Sequence, residues 1–388
     1  MVKEITNFAL DFDAQTKKQF DSCCSQDYVI SASLMPDAHS GYVAPIGSVL
    51  ITQEKIVPAW VGYDIGCGMI ACKFTGLEFL NLLDTHKQEI FSKVNDLIPM
   101  GKGNIGVHGD VSEKISLDFR NLVCKFKKGP YNKSLFNFIN TQAQAHLGSL
   151  GSGNHFIEIG SCDFSNRDEF WLVIHSGSRG VGHKIATKYM REASGNEIEF
   201  EKTAELRVNS QVGQEYLNVV SFGQDFALLN RLEMAYRVTK VLSDVFGVNN
   251  LNYELFCNKN HNFIEITEVD EVKRYIHRKG ATPAKKGEFG IIPANMRDGC
   301  FLVQGLGNKE FLESSSHGAG RKLSRGEAKK TITFESFKKS MEGIVGNVTQ
   351  NTLDESPFAY KNIFDVMEKQ KESVEIISHI TPIINWKG

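Results

Sequence analysis

The chain has 388 residues, and its 44 lysines and arginines nearly balance its 46 aspartates and glutamates, which gives a formal net charge of −2. Hydrophobic residues make up 41% of the chain and charged residues 23%, and these ordinary values exclude wholesale disorder. Without a long apolar run, a signal-peptide layout or an excess of basic residues, we expect a cytoplasmic protein with no membrane partner and no nonspecific nucleic-acid coat.

The first predicted elements are strands and tight turns over residues 25–75, where β-branched residues are punctuated by glycines. Helices are predicted over residues 76–98, 112–127 and 134–147, with Gly129-Pro130 as the breaker between the last two. The amino-terminal part of the chain therefore begins with strands and continues with helices.

Residues 168–175 predict a strand that ends in a turn. Residues 200–246 predict mainly helix, interrupted around residues 220–223. The remaining predicted elements are a strand over 253–267, a strand over 299–305 and a helix over 361–373. Because strands and helices occur in clusters rather than in strict alternation, the pattern favours an α+β fold over a doubly wound sheet. With no linker rich in Pro, Gly or Ser, residues 1–388 are predicted to form a single large domain of mixed or antiparallel sheets flanked by helices.

Glycines are concentrated beside side chains that can bind metals or phosphates. Five segments show this pattern: Met35–Gly41, Val61–Gly68, Gly151–His155, His175–Gly180 and Ser314–Arg321. Glycine allows a positive φ and a close approach of backbone to ligand, and consecutive N–H groups in such loops bind anions. Four of the five segments contain a histidine, so we expect them to form one composite site.

Each candidate ligand also has an ordinary structural role. Asp64 can cap a turn, Cys67 can be a small core residue, and histidines such as His155 can be buried with satisfied hydrogen bonds. Taken together, aspartate, cysteine and imidazoles form a mixed oxygen, sulfur and nitrogen set that suits ions such as Zn²⁺ or Mn²⁺. A thiolate can also bridge two ions, an arrangement that suits phosphoryl chemistry. The long separations leave the assignment of individual ligands open.

A match to the phosphate-binding pattern G-x-G-x-x-G lies at Gly101–Gly106. It follows no clear strand and precedes no apolar helix, both of which a dinucleotide site requires. We interpret it as a turn-rich loop.

The glycine-rich segments together resemble the RtcB family of GTP-dependent RNA-splicing ligases. The resemblance covers Met35 to Gly388 and rests on M-P-D-x-H, D-I-G-C-G-M, G-x-G-N-H-F-I-E, H-S-G-S-R, H-R-K-G-A-T and S-H-G-A-G-R, in that order. It implies an enzyme that joins RNA 2′,3′-cyclic phosphate or 3′-phosphate ends to 5′-OH ends, in RNA repair or tRNA splicing. The implied partners are GTP and the ends of tRNA or other cleaved RNA, and we expect a monomer.

The resemblance also implies roles for the residues of the composite site. His317 matches the nucleophile that accepts GMP, and Asp37 matches an aspartate that the activity requires, although the sequence suggests no physical role for it. Two Mn²⁺ ions are implied, the first held by Asp64, Cys67 and His155. The second is held by His175 and His261, with Cys67 shared between both ions.

Recognition of the nucleotide and of the RNA ends carries over in the same way. The implied nucleotide contacts are Asn154, His155, Phe156, Ile157, Glu158, His261, Asn262, Pro293, Ala294, Asn295, Met296, Cys300, His317, Gly318, Ala319, Gly320 and Lys387. A Glu158 carboxylate accepts hydrogen bonds from the N1–H and amino group of guanine, which selects guanine over adenine. The RNA-end phosphates are assigned to Arg179, Lys279, Arg321 and Arg325, because guanidinium and ammonium groups suit phosphate.

The chain departs from the family pattern in the nucleotide loop. Family members commonly carry P-G-S-M-G-T-x-S where this chain has P-A-N-M-R-D-G-C, so Asn295 and Cys300 replace two serines and Arg297-Asp298 adds charge. Asn260 stands where a second histidine is common, and Pro283 where arginine is usual. These changes indicate a divergent branch of the family.

Two alternatives to an RNA ligase follow from the sequence. The altered loop also fits a binuclear metal-dependent RNA cyclic phosphodiesterase that no longer ligates. A noncatalytic protein that binds RNA ends predicts the loss of a ligand or of the nucleophile, and the sequence retains all of them.

Overall fold

Helices and strands cluster along the chain in the computed structural model, which describes residues 3–101, 111–162 and 168–388. The strands are β1 (Glu4–Asn7), β2 (Val29–His39), β3 (Ile46–Thr52), β4 (Lys55–Ile56), β5 (Gly68–Thr75), β6 (Phe156–Cys162), β7 (Glu169–Ser176), β8 (Leu206–Arg207), β9 (Glu254–Asn260), β10 (Asn262–Val269), β11 (Val272–Lys279), β12 (Ala281–Pro283), β13 (Phe289–Pro293), β14 (Cys300–Gly305), β15 (Ser314–Ser316), β16 (Val345–Gly346) and β17 (Val374–Lys387). The helices are α1 (Ala14–Cys24), α2 (Leu77–Leu97), α3 (Glu113–Lys127), α4 (Lys133–Gln142), α5 (Arg179–Ala193), α6 (Gln211–Phe246), α7 (Arg325–Thr331), α8 (Phe334–Ser340) and α9 (Ile363–Lys369). This arrangement confirms the predicted α+β class.

The larger sheet is antiparallel along its main path and runs in the order β13-β14-β17-β6-β7-β5-β9, with β16 parallel to β17. Side chains alternate across its strands, so consecutive residues of β6 face opposite sides. Ile157 and Ile159 lie in the hydrophobic core behind the sheet, whereas Phe156 and Glu158 face the cavity in front. One face of the sheet at β6 therefore packs against the hydrophobic core, and the other face lines the cavity.

The smaller sheet has the order β1-β2-β3-β11-β10, in which the β1–β2 pair is parallel and the others are antiparallel. A short antiparallel pair, β12–β15, lies between this sheet and the loop that carries His317. Lys279 lies at the end of β11, and His39 lies at the end of β2. The smaller sheet thus brings cationic and imidazole groups to one end.

Helix α6 corrects one prediction. It runs from Gln211 to Phe246 without the interruption expected around residues 220–223, and residues 200–210 are not helical. Gly223 looks like a breaker in the sequence, but a Cβ there would lie 3.1 Å from a methyl carbon of Ile65. Its role is close packing, and Val220 and Phe222 are buried beside it. No helix in the described ranges combines the length and apolar character that crossing a membrane requires.

Most of the other predicted elements are confirmed. Strands and turns occupy residues 25–75, helices lie at the three positions predicted between 76 and 147, and the strands near 168, 253 and 299 are present. The helix predicted over 361–373 spans only Ile363–Lys369. The G-x-G-x-x-G match extends into residues 102–110, which lie outside the described residues, so its interpretation stays a prediction.

The carboxyl-terminal strand β17 was not predicted. Pro382 lacks an N–H donor and usually excludes a central strand. Here it coincides with a shift of register between Pro382 and Ile384, so β17 still pairs with β14 on one side and β6 on the other. The indole of Trp386 is fully buried, stacks on Phe91 at 5.6 Å and donates to the Phe91 carbonyl at 3.0 Å. This packing anchors the end of the chain inside the fold.

We expect Trp386→Ala to lower the free energy of unfolding by about 3–5 kcal/mol, because it removes a large buried side chain and leaves a cavity. Ile377→Ala is the matched control on the same strand, where the side chain is 45% exposed. It should cost less than about 1 kcal/mol. Denaturant unfolding of both variants measures the difference, and equal losses would contradict the anchoring role of Trp386.

Candidate active site

A cavity of about 550 Å³ opens where strand ends from both sheets meet, a size typical of ligand-binding pockets. All five glycine-rich segments contribute residues to its wall, which confirms that they form one composite site. The wall includes His39, Asp64, Cys67, His175, His261 and His317. Because most of these residues lie at or just beyond strand ends, paired strands hold their backbones in place.

The candidate metal ligands form a continuous line of contacts. Nε2 of His155 lies 2.9 Å from Oδ2 of Asp64 and 3.4 Å from Sγ of Cys67. The same sulfur lies 3.2 Å from Nε2 of His175, which in turn lies 3.2 Å from Nε2 of His261. The ligand atoms of Cys67, His155 and His175 all lie within 4.8 Å of one another. Cys67 is therefore central, with one aspartate–histidine arm and one histidine–histidine arm.

Two of the imidazoles are held so that their Nε2 lone pairs face the cluster. Nδ1 of His155 lies 2.9 Å from the Leu150 carbonyl, and Nδ1 of His175 lies 3.1 Å from the Asn154 carbonyl. A carbonyl oxygen only accepts hydrogen bonds, so in both rings Nδ1 carries the hydrogen. Hydrogen bonds of this kind orient histidines that bind metals.

The electrostatics of this cluster fit a divalent cation. Burial lowers the pKa of His175 and His261 well below 6.5, and neighbouring histidines lower both further. Burial also raises the pKa of the Cys67 thiol, and the Asp64 carboxylate raises it further. His175 and His261 are therefore neutral, and their ring nitrogens lie close to the Cys67 sulfur in a buried space. A mixed oxygen, nitrogen and sulfur set of this kind suits borderline transition metals.

Close backbone approach at Gly177 makes room for this arrangement. A Cβ on Gly177 would lie 2.1 Å from Oδ1 of Asp64. Any other residue there would displace the carboxylate, so the glycine of the H-S-G-S-R motif is explained by space rather than by flexibility.

Arg231 is a buried residue that the sequence interpretation missed. Its guanidinium, on helix α6, donates to the carbonyls of Gly66 at 2.9 Å and Ser176 at 2.8 Å, and to Oδ1 of Asn260 at 2.7 Å. These three residues immediately precede Cys67, follow His175 and precede His261 in the chain. One side chain therefore ties together three of the segments that carry candidate ligands. A charged residue within a largely apolar stretch of predicted helix was the available signal.

His317 lies at the histidine end of the line, and its ring centroid is 4.9 Å from that of His261. Its Nδ1 donates to Oδ2 of Asp37 at 2.7 Å, and the same oxygen accepts from the backbone N–H of His317 at 3.2 Å and of Gly318 at 3.3 Å. Since Nδ1 holds the hydrogen, Nε2 retains its lone pair. This contact supplies a physical role for Asp37, which is itself fully buried.

Glu158 and its hydrogen-bond partner Asn385 line the cavity from the larger sheet. Oε1 of Glu158 accepts from the Cys300 thiol at 3.3 Å, and Oε2 accepts from Nδ2 of Asn385 at 2.9 Å. Burial raises the pKa of Glu158 to about 7, although these hydrogen bonds and the charge of Lys387 oppose the change. The carboxyl is therefore poised between its neutral and charged forms near neutral pH.

Three of the predicted cationic residues contact one buried acid, Glu355. Its carboxylate contacts Arg321 at 3.2 Å, Arg325 at 2.6 Å and Lys387 at 2.9 Å. Burial would raise the pKa of Glu355, but these three cations lower it to about 2. Glu355 thus holds the cations in fixed positions, and no motif in the sequence pointed to it.

In the loop of residues 293–300, the charged side chains contact other residues of the same loop. Asn295 donates through Nδ2 to Oδ2 of Asp298 at 2.8 Å, and Arg297 pairs with Asp298 at 2.7 Å. Pro293, Ala294, Asn295 and Met296 still line the cavity. The added charges are therefore paired with each other.

Not every predicted site residue lies on the cavity wall. Phe156, Asn154, Asn262, Lys279, Gly318, Ala319 and Gly320 do. Ile157 points into the core behind β6, and Cys300 lies behind Glu158. Arg179 is not on the cavity wall: its Nε donates to Oγ of Ser149 at 3.3 Å, and its charge interacts with Asp64. Burial lowers the pKa of Lys279 to about 8, and its ammonium donates to the Ala44 carbonyl at 2.9 Å.

The chain as a whole is similar to known proteins. The family model described as tRNA-splicing ligase RtcB matches residues 21–388. The RNA-splicing ligase RtcB1 of Escherichia coli is 33% identical over 97% of this chain and 95% of its own length, and RtcB of E. coli K12 is 32% identical over the same shares. The tRNA-splicing ligase RtcB of Nanoarchaeum equitans is 29% identical over 92% of this chain and 87% of its own.

We expect Arg231→Met to weaken binding of Co²⁺, used as a spectroscopic probe, by roughly 10- to 100-fold, because three ligand-bearing segments lose their common tether. Titration followed by thiolate-to-cobalt absorption measures the affinity without any catalytic readout. Arg237→Met is the control, since it removes another buried guanidinium from α6, one that pairs with Glu233 instead. It should lower stability while leaving the cobalt affinity intact, and equal losses of affinity would refute the tether.

Proposed function

The chain belongs to the RtcB family of RNA-splicing ligases and is an RNA ligase, and on this basis we propose that it joins RNA ends in a GTP-dependent reaction through a guanylylated His317. The proposed substrates are an RNA 3′-phosphate, or the 2′,3′-cyclic phosphate from which water produces it, and a 5′-OH end. The hydrogen bond from Nδ1 of His317 to Asp37 carries the proposal, because it leaves Nε2 as a nucleophile facing the cavity.

In the first step, Nε2 of His317 attacks the α-phosphorus of GTP. A nitrogen–phosphorus bond forms while the bond to the bridging oxygen breaks, and pyrophosphate leaves. Asp37 keeps the ring oriented and stabilises the positive charge that develops on the imidazole. Its burial and its three hydrogen bonds to residues 317 and 318 make this orientation rigid.

In the second step, an oxygen of the RNA 3′-phosphate attacks the phosphorus held by His317. The nitrogen–phosphorus bond breaks, and the imidazole regains its lone pair. In the third step, the 5′-OH oxygen bonds to the phosphorus of the activated 3′-phosphate, its proton passes to water, and the phosphoanhydride bond to GMP breaks so that GMP leaves. Each step is a displacement at phosphorus, so one cavity serves all three.

Two Mn²⁺ ions are the proposed metals. Asp64, Cys67 and His155 would hold one, and His175 and His261 would hold the second, with Cys67 shared. When bound, such ions neutralise phosphate charge and stabilise the leaving oxygen. The central position of Cys67 between the two arms supports this division.

Guanine recognition is proposed at Glu158, whose carboxylate would accept hydrogen bonds from N1–H and the amino group. Asn385 and Cys300 hold the carboxyl in place, and Lys387 lies near it with its ammonium 5.4 Å from the Phe156 ring centroid. Arg321, Arg325 and Lys279, which all line the cavity, are proposed to bind RNA phosphates. We also propose that residues 1–388 act as one domain and as a monomer.

The cyclic phosphodiesterase alternative is not favoured. It was suggested by the altered loop of residues 293–300. The relatives that match this chain over nearly its whole length are, however, named as RNA-splicing ligases. An enzyme that only opened cyclic phosphates would have no use for the rigid Asp37–His317 contact. The noncatalytic alternative likewise leaves this contact unexplained.

Incubation with Mn²⁺ and GTP labelled at the α-phosphate tests the proposal directly. The protein should acquire a label that acid removes, as expected for a phosphoramidate, and His317→Ala should abolish it. Asp37→Asn should retain the fold but slow labelling at least tenfold, since the amide holds the ring less firmly and stabilises its charge less well. A label that survives in His317→Ala would exclude this histidine as the nucleophile.

Glu158 predicts how GTP affinity depends on pH. Its pKa of about 7 means that the charged form, which accepts both guanine N–H groups, is lost as pH falls through neutrality. Affinity for GTP should therefore fall toward about tenfold per pH unit below neutrality. Dissociation constants for GTP, measured from about pH 6 to about pH 8, check this dependence.

Glu158→Gln is the control, because a glutamine does not titrate. Subtracting its pH profile from that of the parent protein removes the contribution of the nucleotide phosphates. If both proteins show the same profile, Glu158 does not recognise guanine in its charged form.

A further inference from the structure

Two tyrosines at the mouth of the cavity belong to none of the roles assigned so far. Tyr42 lies in the loop between β2 and β3, and its side chain is 73% exposed although it lines the cavity. Tyr63 lines the same cavity from the loop before β5. Their ring centroids are 5.9 Å apart and their planes cross at 88°. A large aromatic ring left in solvent at the entrance of a site is a surface on which a flat ligand can stack.

The rings are supported by specific contacts. On one side, Tyr63 stacks on His183 of α5 with centroids 4.7 Å apart and planes 16° apart, and its hydroxyl hydrogen-bonds to Glu201. On the other side, Gln19 of α1 donates to the carbonyls of Gly41 at 2.7 Å and Tyr42 at 3.1 Å, and accepts from the Gly41 N–H at 3.0 Å. Because the loop and the second ring are already held, little freedom is lost when a ligand stacks.

The loop of Tyr42 lies next to the proposed phosphate site. The Lys279 ammonium donates to the Ala44 carbonyl of this loop, and a Cβ built on Gly41 would lie 3.3 Å from that ammonium nitrogen. Gly280, the next residue, approaches the nucleophile, since a Cβ there would lie 3.1 Å from Cε1 of His317. The nucleophile, Lys279 and the loop that carries Tyr42 are thus neighbours along the cavity wall. A nucleotide has the same order, with its base one sugar away from its phosphate.

The guanine of GTP is not the expected occupant of this ring. Its proposed partner, Glu158, lies on β6 of the larger sheet together with Asn385 of β17. Tyr42 lies on a loop of the smaller sheet. The ring therefore remains available to the other substrate of an RNA ligase, which is the RNA strand.

We propose that Tyr42, backed by Tyr63 and His183, is a stacking site for an unpaired base of the RNA strand whose end reacts beside His317. The inference rests on the proposed role of His317. Stacking accepts any base, because every base has a flat π face, so this site contributes affinity and placement rather than sequence selectivity. It also requires the reacting end to be single-stranded at the stacked position.

The test uses the full-length protein and short fluorescent single-stranded RNAs that carry a 3′-phosphate or a 5′-OH. Binding is followed by anisotropy without GTP. Tyr42→Ala should weaken binding of one of the two RNAs by roughly 5- to 150-fold, the range expected for loss of one base–aromatic stack. Tyr42→Phe and Tyr42→Trp should restore most of the affinity, since both keep a flat ring. In multiple-turnover ligation the loss should appear in KM rather than in kcat.

A double-mutant cycle locates the stacked base. Abasic nucleotides are placed one at a time near the RNA end, and at one position the abasic RNA should bind the parent protein as weakly as the complete RNA binds Tyr42→Ala. At that position, Tyr42→Ala should bind the abasic RNA no more weakly than it binds the complete RNA. Phe364→Ala is the control, because it removes a ring that is 58% exposed on α9 and does not line this cavity.

Three results would overturn the stacking site: normal binding by Tyr42→Ala, equal losses in Tyr42→Ala and Tyr42→Phe, or additive losses at every abasic position. Label uptake from GTP by the parent protein, measured in parallel, separates this failure from failure of the GTP-dependent chemistry. If the parent protein takes up no label, that chemistry is refuted, while the anisotropy data still decide on the stacking site because they involve no GTP.

Discussion

The crowding of electron-rich donor atoms around the sulfur of Cys67 is the constraint on which the rest of the site depends. The carboxylate of Asp64 and the imidazoles of His155, His175 and His261 form one chain of contacts through that sulfur, in a space from which water is largely excluded. Burial disfavours a second proton on His175 and His261, so these two imidazoles are neutral and can offer lone pairs. These side chains would hold a divalent cation, which would draw their oxygen, nitrogen and sulfur atoms together once the thiol had lost its proton.

Holding such a cluster together requires rigid support, and the fold supplies it from outside the cavity. Antiparallel strands adjoin Cys67, His155, His175 and His261, and Arg231 on α6 connects three of the ligand-bearing segments with hydrogen bonds of 2.7–2.9 Å. Elsewhere in the site, the Glu355 carboxylate contacts Arg321, Arg325 and Lys387. Although the net charge of the chain is −2, three cationic side chains therefore lie together at the cavity, where we expect phosphates to bind.

The sequence allowed the class of fold and the composition of the site to be predicted, but not the supports. Each glycine-rich motif is a short stretch of sequence with metal- or phosphate-binding residue types. All five could therefore be recognised from the sequence and expected to form one site. The roles of Asp37 and Arg231 depend on contacts between residues far apart in the chain, and no local pattern encodes these. The interruption predicted around residues 220–223 was wrong, because the packing of Gly223 against Ile65 is a tertiary contact that the local sequence does not reveal. Strand β17 was missed because Pro382 is tolerated only at its register shift.

Anomalous diffraction from crystals soaked in Mn²⁺, recorded at the manganese absorption edge, tests the central claim most directly. The account predicts two peaks, one on each side of the Cys67 sulfur, the first beside Asp64 and His155 and the second beside His175 and His261. A protein that shows no peak in this cluster, or whose ion binds without contact to Cys67, would contradict it.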